Sequence, residues 1–401
     1  MALKVGKRIW GMCFALIIML PSFQGAEAAS NPTGLEARMV LDLTDDIELP
    51  NSHVGGLAGN GEYYLYVKYS DLSFHRSEDG LRWTRVSITE ATYQKFHGIP
   101  RQLIWDGQQF VLLLDSQILT SSDGRDWKDV TPAHPDRTME YTFEDIHFAN
   151  GQYVILAQDR DRNVGGFYVE GDNTIFYGKR LSELKKAKKQ DFMEVAGGRE
   201  RPLDHVIWTG SGYLAGGNGV AYSADGKVWR GDAGLGYGYN AVWDGKRVWD
   251  ADGDRILSYD AKGKSAKSVY KLTKETAKKV NLKVIGANGR SYIAAGKSGK
   301  NAPTTVMYSK DGAKWSTVML GTEPSDIHSI LPTPYGYLLA GDRIWYVSET
   351  AIDQPSTWAV PDVERAVKDK LVTPAVKGFY QYSLARQDLS ILSVKLYEAM
   401  T

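Results

Sequence analysis

Cysteine is almost absent from this sequence, since Cys13 is the only one among 401 residues. It lies in an N-terminal segment with an apolar run, Trp10 to Phe23, of signal-peptide length and a cleavage signature, Ala26-Glu27-Ala28. We interpret residues 1–28 as a signal peptide rather than an uncleaved anchor, because no long apolar stretch follows. Cleavage would remove Cys13, so we expect a mature chain with no disulfide, no thiol nucleophile and no cysteine metal site.

The common catalytic motifs are also missing. Neither G-x-S-x-G, H-E-x-x-H nor a phosphate loop occurs after residue 28. The 48 basic and 48 acidic residues balance, and loss of the basic leader would make the mature chain slightly acidic. We therefore predict no nucleic-acid partner, no membrane span after cleavage, no cofactor and no metal, and we favour a protein without catalytic activity.

The sequence does contain an internal repeat. Four segments read S-x-D-G-x-x-W: Ser77–Trp83, Ser121–Trp127, Ser223–Trp229 and Ser309–Trp315. Asp-Gly favours a tight hairpin turn, and the Trp can begin the next strand and pack between sheets. Repetition at one position argues for a structural role of the Asp and Trp residues, which are Asp79, Trp83, Asp123, Trp127, Asp225, Trp229, Asp311 and Trp315.

A second element, a turn ending in glycine followed by an apolar run, occurs seven times. Its glycines are Gly61, Gly107, Gly151, Gly212, Gly245, Gly289 and Gly336. The spacing of about 45 residues is that of one four-stranded propeller blade. The sequence therefore predicts an all-β chain forming a seven-bladed β-propeller over residues 29–350, in which three units have a decayed first motif. Arg38 to Leu43 reads as a strand that completes the last blade.

The repeat resembles the Asp-box (BNR) repeat found in sialidases, sortilin-type receptors and photosystem II assembly factors. The usual pattern there is S-x-D-x-G-x-x-W, and here one residue between Asp and Gly is missing in all four copies. The resemblance implies a propeller of the sialidase/sortilin-like superfamily. It implies little about function, because that fold carries many activities.

Residues 351–401 form a different unit. Helical spacing of Val363, Ala366 and Val367, and a stripe from Ala385 to Leu396, predict a helix–loop–helix. The unit resembles a single degenerate S-layer homology repeat, with Trp358 and Arg386 at positions that bind cell-wall polysaccharide in that family. The alternative is a helical cap packed on the propeller.

Candidate ligand-binding residues lie near the predicted innermost strands. They are His97, His147, His205 and His328, with Asn240 at a similar place in the fifth unit and Arg101 as an anion-binding candidate. Innermost strands line the channel where propeller ligands commonly bind. The alternative is that each His bonds a neighbouring Asp and orders a loop. The basic segment Lys179 to Lys189 is either a patch that binds an anionic polymer or a solvated insert.

The sequence thus favours an exported, cell-wall-associated binding or scaffold propeller whose extracellular ligand, a wall polysaccharide or a protein, is unknown. The alternative is an extracellular glycan-processing hydrolase of sialidase-like architecture. Such an enzyme needs a pair of acidic residues across the channel with a Tyr or Arg beside them.

Overall fold

The computed structural model describes residues 35–44, 56–136, 138–161, 171–195, 199–232, 241–277, 280–299, 302, 304–320, 325–349 and 365–366. The predicted signal peptide lies outside these residues. So does the predicted C-terminal unit, apart from Arg365 and Ala366, which are helical.

The strands form seven blades, which confirms the predicted seven-bladed β-propeller. Strands are given from the first to the fourth of each blade. Blade 1 consists of Gly56–Gly59, Tyr64–Val67, Phe74–Ser77 and Thr84–Arg85, and blade 2 of Pro100–Trp105, Phe110–Leu114, Ile118–Ser121 and Lys128–Asp129. Blade 3 consists of Met139–Ala149, Gln152–Asp161, Asn173–Gly178 and Lys185–Lys186. Blades 4 and 5 consist of Leu203–Trp208, Tyr213–Gly217, Val220–Ser223 and Val228–Asp232, and of Val242–Trp243, Val248–Asp252, Arg255–Tyr259 and Lys267–Lys271. Blade 6 consists of Leu282–Ala287, Tyr292–Gly296, Thr305–Ser309 and Ser316–Met319, and blade 7 of Ile327–Thr333, Gly336–Gly341, Arg343–Ser348 and Glu36–Asp42. Short helices occupy Glu90–Tyr93, Leu181–Glu183 (a 3₁₀ turn) and Lys274–Ala277.

The fourth strand of blade 7 comes from the N-terminal part of the chain. Glu36–Asp42 pairs antiparallel with Arg343–Ser348, from Glu36 opposite Ser348 to Asp42 opposite Arg343, with a bulge between Met39 and Leu41. The predicted closing strand is therefore confirmed. It also explains why blade 7 lacks the S-x-D-G-x-x-W motif: no hairpin joins its third and fourth strands.

The first strands line the centre of the ring, and the core lies between blades. First strands of successive blades contact one another around the whole ring, including blade 7 against blade 1. The buried apolar residues of the described chain fall into seven clusters, each shared by two neighbouring blades. Each sheet is thus buried on both faces, which explains the continuous apolar runs such as Phe110–Leu114.

The long third unit contains a strand that crosses to the next blade. After the fourth strand of blade 3, Lys188–Gln190 pairs parallel with Val228–Asp232 and makes blade 4 five-stranded. The Lys189 ammonium reaches back, 2.7 Å from a carboxylate oxygen of Glu200, and also bonds the carbonyl of Asn173. A hairpin of Glu194–Val195 and Arg199–Glu200 follows. The insert therefore fastens blade 3 to blade 4.

The four S-x-D-G-x-x-W segments share one turn geometry between the third and fourth strands. In the first copy, Asp79 Oδ1 accepts the N–H groups of Leu81 and Arg82, and the Gly80 N–H donates to Ser77 Oγ. The indole N–H of Trp83 donates to the Gly80 carbonyl, 3.0 Å away. The other copies repeat these bonds around Asp123, Asp225 and Asp311, with indole donors Trp127, Trp229 and Trp315.

The glycine of each turn packs against the preceding blade. A Cβ added to Gly312 would lie 2.4 Å from Cη2 of Trp249, and one added to Gly124 would lie 2.9 Å from Leu65. Both glycines have positive φ. The motif therefore docks one blade on the next, and only glycine meets both requirements.

A tyrosine at the start of several second strands makes a further bond between blades. Tyr213 donates to the carbonyl of Ala149, 2.8 Å away, and Tyr292 donates to Asp244 Oδ2, 2.7 Å away. Tyr153 makes the same bond to Asp106. In each case the acceptor lies in, or directly before, the turn between the first and second strands of the preceding blade, so blade packing has a fixed register.

Substituting two glycines of blade 6 allows the cost of backbone strain to be measured separately from the cost of steric overlap. Gly289→Ala should cost about 1–2 kcal/mol of unfolding free energy, because its φ is +80° but nothing lies within 4 Å of the added Cβ. Gly312→Ala, at φ +73°, should cost about 1–3 kcal/mol more, because the Cβ would overlap Trp249. Denaturant unfolding of the two variants measures the difference. Equal losses would contradict the docking role of the turn.

Candidate functional site

The starts of the first strands meet at one end of the ring. Because neighbouring strands are antiparallel, the turns between first and second strands and the Asp-Gly turns lie at the opposite end. Residues at the start of the first strands therefore surround one opening of the central channel.

Five first strands carry a bulge at the same register near this opening. In each, one residue is skipped in the pairing with the second strand: between Pro100 and Gln102, for example, or between Phe143 and Asp145. The skipped residues are Arg101, Glu144, Asp204, Lys283 and His328, and we call this set the channel mouth. All five are polar and partly or fully exposed, and bulges commonly re-aim side chains beside functional sites.

The channel mouth carries charges of both signs. Glu144 and Asp204 lie on adjacent blades 3 and 4, whereas Arg101 and Lys283 lie on blades 2 and 6. The guanidinium of Arg101 is 3.5 Å from Glu144 Oε2, and its Nε is buried without a hydrogen-bond partner among the described residues. The mouth can therefore offer both a cation and a carboxylate to a polar ligand.

The residues that directly follow the bulges bond the next blade. Gln102 Oε1 accepts the Ile146 N–H at 2.9 Å, and Asp145 Oδ2 accepts the Val206 N–H at 2.7 Å. His205 then bridges two blades, with Nδ1 2.8 Å from Asp145 Oδ2 and Nε2 2.8 Å from the Ala241 carbonyl. Gln102, Asp145 and His205 form what we call the interblade chain, which joins blades 2 to 5 around the channel.

His205 can satisfy both of its partners only as an imidazolium. A carboxylate and a carbonyl both accept hydrogen bonds, and a neutral imidazole has a single N–H. Burial alone would lower the pKa of His205, but the charge and hydrogen bond of Asp145, together with the Ala241 carbonyl, raise it above its usual value. With both nitrogens engaged, His205 is better suited to holding blades together than to acting as a general base.

His147 differs from His205 in that its pKa is lowered. It lies on the first strand of blade 3 opposite Val154 and is half-buried. Desolvation lowers the pKa of His147 to about 4, although the nearby Asp145 carboxylate opposes that shift. His147 is therefore neutral near pH 7 and able to donate or accept a hydrogen bond.

The four predicted histidines lie at different depths. His97 is exposed ahead of blade 2, where its backbone N–H donates to Gln117 Oε1 at 2.6 Å. His328 is a bulge residue, and His205 and His147 follow the bulges of their own strands. The triplets Asp145-Ile-His147 and Asp326-Ile-His328 accordingly occupy different registers. The proposed binding role of these histidines and of Arg101 stays a prediction.

Three other predicted residues, Asn240, Trp358 and Arg386, lie outside the described residues. Within the part of the chain that the structure describes, no three His, Cys, Asp or Glu side chains converge as metal ligands would. That same part contains no helix both long and apolar enough to cross a membrane.

Two residues of the channel mouth, Glu144 and Lys283, were missed by sequence reasoning. The signal was present, because each bulge residue is polar and stands two positions before an aliphatic residue, as in Glu144-Asp-Ile146 and Lys283-Val-Ile285. Counting from the turn glycines hid this pattern, since the strands differ in length.

No protein-family model and no curated protein matches the sequence. Among solved structures, virginiamycin B lyase from Staphylococcus aureus, solved with quinupristin, is similar at 10% identity and a TM-score of 0.53, covering 78% of this chain and 99% of that one. The extracellular domain of a proposed one-component system from B. thetaiotaomicron is 13% identical, with a TM-score of 0.49 over 74% of this chain and 38% of that one. The nidogen/laminin complex matches at 13% identity and a TM-score of 0.38, covering 62% and 93% of the two chains. At these identities the likeness to the lyase supports the propeller fold and carries no function to this chain.

His205 and His147 should make the free energy of unfolding depend on pH in opposite directions. The stability contributed by His205 is complete below about pH 6.5 and is lost as the pH rises through its raised folded-state pKa. The stability associated with neutral His147 is complete above about pH 6.5 and is lost as the pH falls toward 4, by at most about 3 kcal/mol.

Unfolding free energies of His205→Gln and His147→Gln, measured from pH 4 to 9, test this. We expect His205→Gln to flatten the decline above pH 6.5, and His147→Gln to flatten the decline below it. An unchanged curve above pH 6.5 in His205→Gln would show that the ring does not carry a proton for the interblade chain.

Proposed function

We propose that this chain is an exported, non-catalytic binding propeller whose ligand is a polar molecule bound at the channel mouth. The observation that carries the proposal is the equivalent bulge on five first strands, each presenting a polar or charged residue. Binding residues often lie in loops and concave sites that a rigid scaffold positions. Export rests on the leader-like first 28 residues, and wall association rests on the resemblance of the tail around Trp358 and Arg386.

The charge pattern favours a ligand that carries both an amino and an acidic group, or many hydroxyls. Arg101 and Lys283 would meet the anionic part, and Asp204 would meet the cationic part. His205 keeps its strands in place rather than contacting the ligand, since both of its ring nitrogens are engaged.

The binding proposal is tested by thermal shift with amino sugars, uronic acids and dipeptides as probes. We expect at least one probe class to raise the Tm of the wild-type protein and to have no effect on Arg101→Gln/Lys283→Gln. The matched control is Lys246→Gln/Lys314→Gln, which removes the same charge from exposed turns at the opposite end. A probe whose shift survives in the mouth variant binds elsewhere and contradicts the proposal.

A glycan hydrolase is the second candidate, because the mouth does contain carboxylates. Glu144 is half-buried beside Arg101, and Asp204 lies on the next blade. Glycosidases use two carboxyl groups on either side of the scissile bond.

Fluorogenic glycosides, including a sialoside, separate the two candidates. If the protein is a binding propeller, the wild type and Glu144→Gln/Asp204→Asn should both give only background hydrolysis. Turnover by the wild type that falls at least 100-fold in the double variant would establish the hydrolase instead.

A further inference from the structure

Blade 4 has an exposed basic face at its outer edge, far from the channel. It is built from the crossing strand, the third and fourth strands of blade 4 and the outer turn of blade 5. We call it the outer basic face, and its residues are Lys188, Gln190, Tyr222, Val228, Arg230 and Lys262.

The strand register places these side chains together. Lys188 is opposite Val228, and Arg230 lies between Gln190 on one side and Tyr222 on the other. Trp229, which alternates with Val228 and Arg230, is fully buried in the core between blades 3 and 4. Val228 and Arg230 must therefore point to the other face of the sheet, where both are exposed.

An aromatic ring forms part of the same face. Tyr222 is half-buried, with its hydroxyl 3.3 Å from the Ser211 carbonyl, and the Lys262 ammonium lies 5.9 Å from its ring centroid. Val228 is 38% exposed and is one of the few large apolar side chains at the surface of the described chain. The face thus combines cations with an aromatic and an aliphatic surface.

Two cations of this face have no carboxylate partner within the described part of the chain. Neither Lys188 nor Arg230 forms an ion pair there. The two adjoining turns contain carboxylates, Asp225 and Asp260, which accept the backbone N–H groups of Lys227 and Lys262, each at 2.9 Å, and keep their negative charge. Exposed Lys185, Lys227, Lys264 and Lys267 extend the positive charge along the rim.

The spacing of the charges fits an extended polymer. Strands lie about 4.8 Å apart and rise about 3.3 Å per residue, so Lys188 and Arg230 are separated by roughly 8 Å along the face. Lysine ammoniums act as point charges and do not select a particular anion geometry. The half-exposed Tyr222 ring favours a sugar polymer over polyphosphate, because sugar rings have C–H faces that can pack against an aromatic ring.

From these features we infer that the outer basic face binds an anionic polysaccharide, laid across the crossing strand and the outer edges of blades 4 and 5. This site is separate from the channel mouth. Of the Lys179–Lys189 segment, which the sequence left open between a polymer patch and a solvated insert, this inference gives Lys188 a role in binding, whereas Lys189 holds blade 3 to blade 4.

The test is binding of the full chain to oligogalacturonate of about ten residues, with neutral dextran of the same length as the uncharged probe. Lys188→Gln/Arg230→Gln/Lys262→Gln should weaken oligogalacturonate binding roughly tenfold, since exposed ion pairs contribute modestly and additively. Raising the salt concentration from 0.05 to 0.3 M should weaken wild-type binding strongly and the triple variant less. Dextran should not bind.

The matched control is Lys128→Gln/Lys310→Gln/Lys314→Gln, which removes three exposed lysines of blades 2 and 6. It changes the net charge equally and should retain wild-type affinity. Tyr222→Leu, with its Tm checked, should weaken oligogalacturonate binding without affecting the binding of polyphosphate. Equal losses in the two triple variants, or absence of wild-type binding at 0.05 M salt, would overturn the inference. So would polyphosphate binding more tightly than oligogalacturonate.

Discussion

The pairing of Glu36–Asp42 with Arg343–Ser348 is the interaction on which the ring depends. Each blade buries both of its faces, and each of the seven apolar clusters needs residues from two blades. Without the closing pair, the outer edge of blade 7 would be an unpaired strand. The pair joins the first and last strands of the propeller in sequence order. The apolar clusters on either side of blade 7 are therefore complete only when the ring has closed.

Blade packing then rests on small, repeated contacts. The Asp-Gly turns bring a glycine against the preceding blade, and the second-strand tyrosines donate to its first turn. Both devices are made of hydrogen bonds and packing between blades, which accounts for the repetition of the motif at one place in the blade. Blade 5 keeps the arrangement in altered form: Asp260 still accepts two backbone N–H groups, and Gly263 still packs against Leu214.

Much of the fold could be predicted from the sequence because it depends on local chemistry. The turn glycines identified seven blades although only four intact Asp-Gly motifs remain, and the strand Arg38 to Leu43 was recognisable as the missing edge. A polar residue two positions before an aliphatic one was visible in these strands, but the sequence did not show that this residue is skipped in the pairing, because register depends on contacts made in the folded sheet. The interblade chain was hidden for the same reason: Gln102, Asp145 and His205 look unrelated until the register aligns them.

The bulges also explain how one short stretch of strand serves two purposes. In blades 2, 3 and 4, the bulge residue belongs to the channel mouth and the next residue belongs to the interblade chain: Arg101 then Gln102, Glu144 then Asp145, Asp204 then His205. In a regular strand these neighbours would alternate between the two faces of the sheet, and a bulge breaks that alternation. The mouth is therefore held on the very strands that the hydrogen bonds between blades fix in place. The last bond of that chain, from His205 to the Ala241 carbonyl, extends the same support from blade 4 to blade 5.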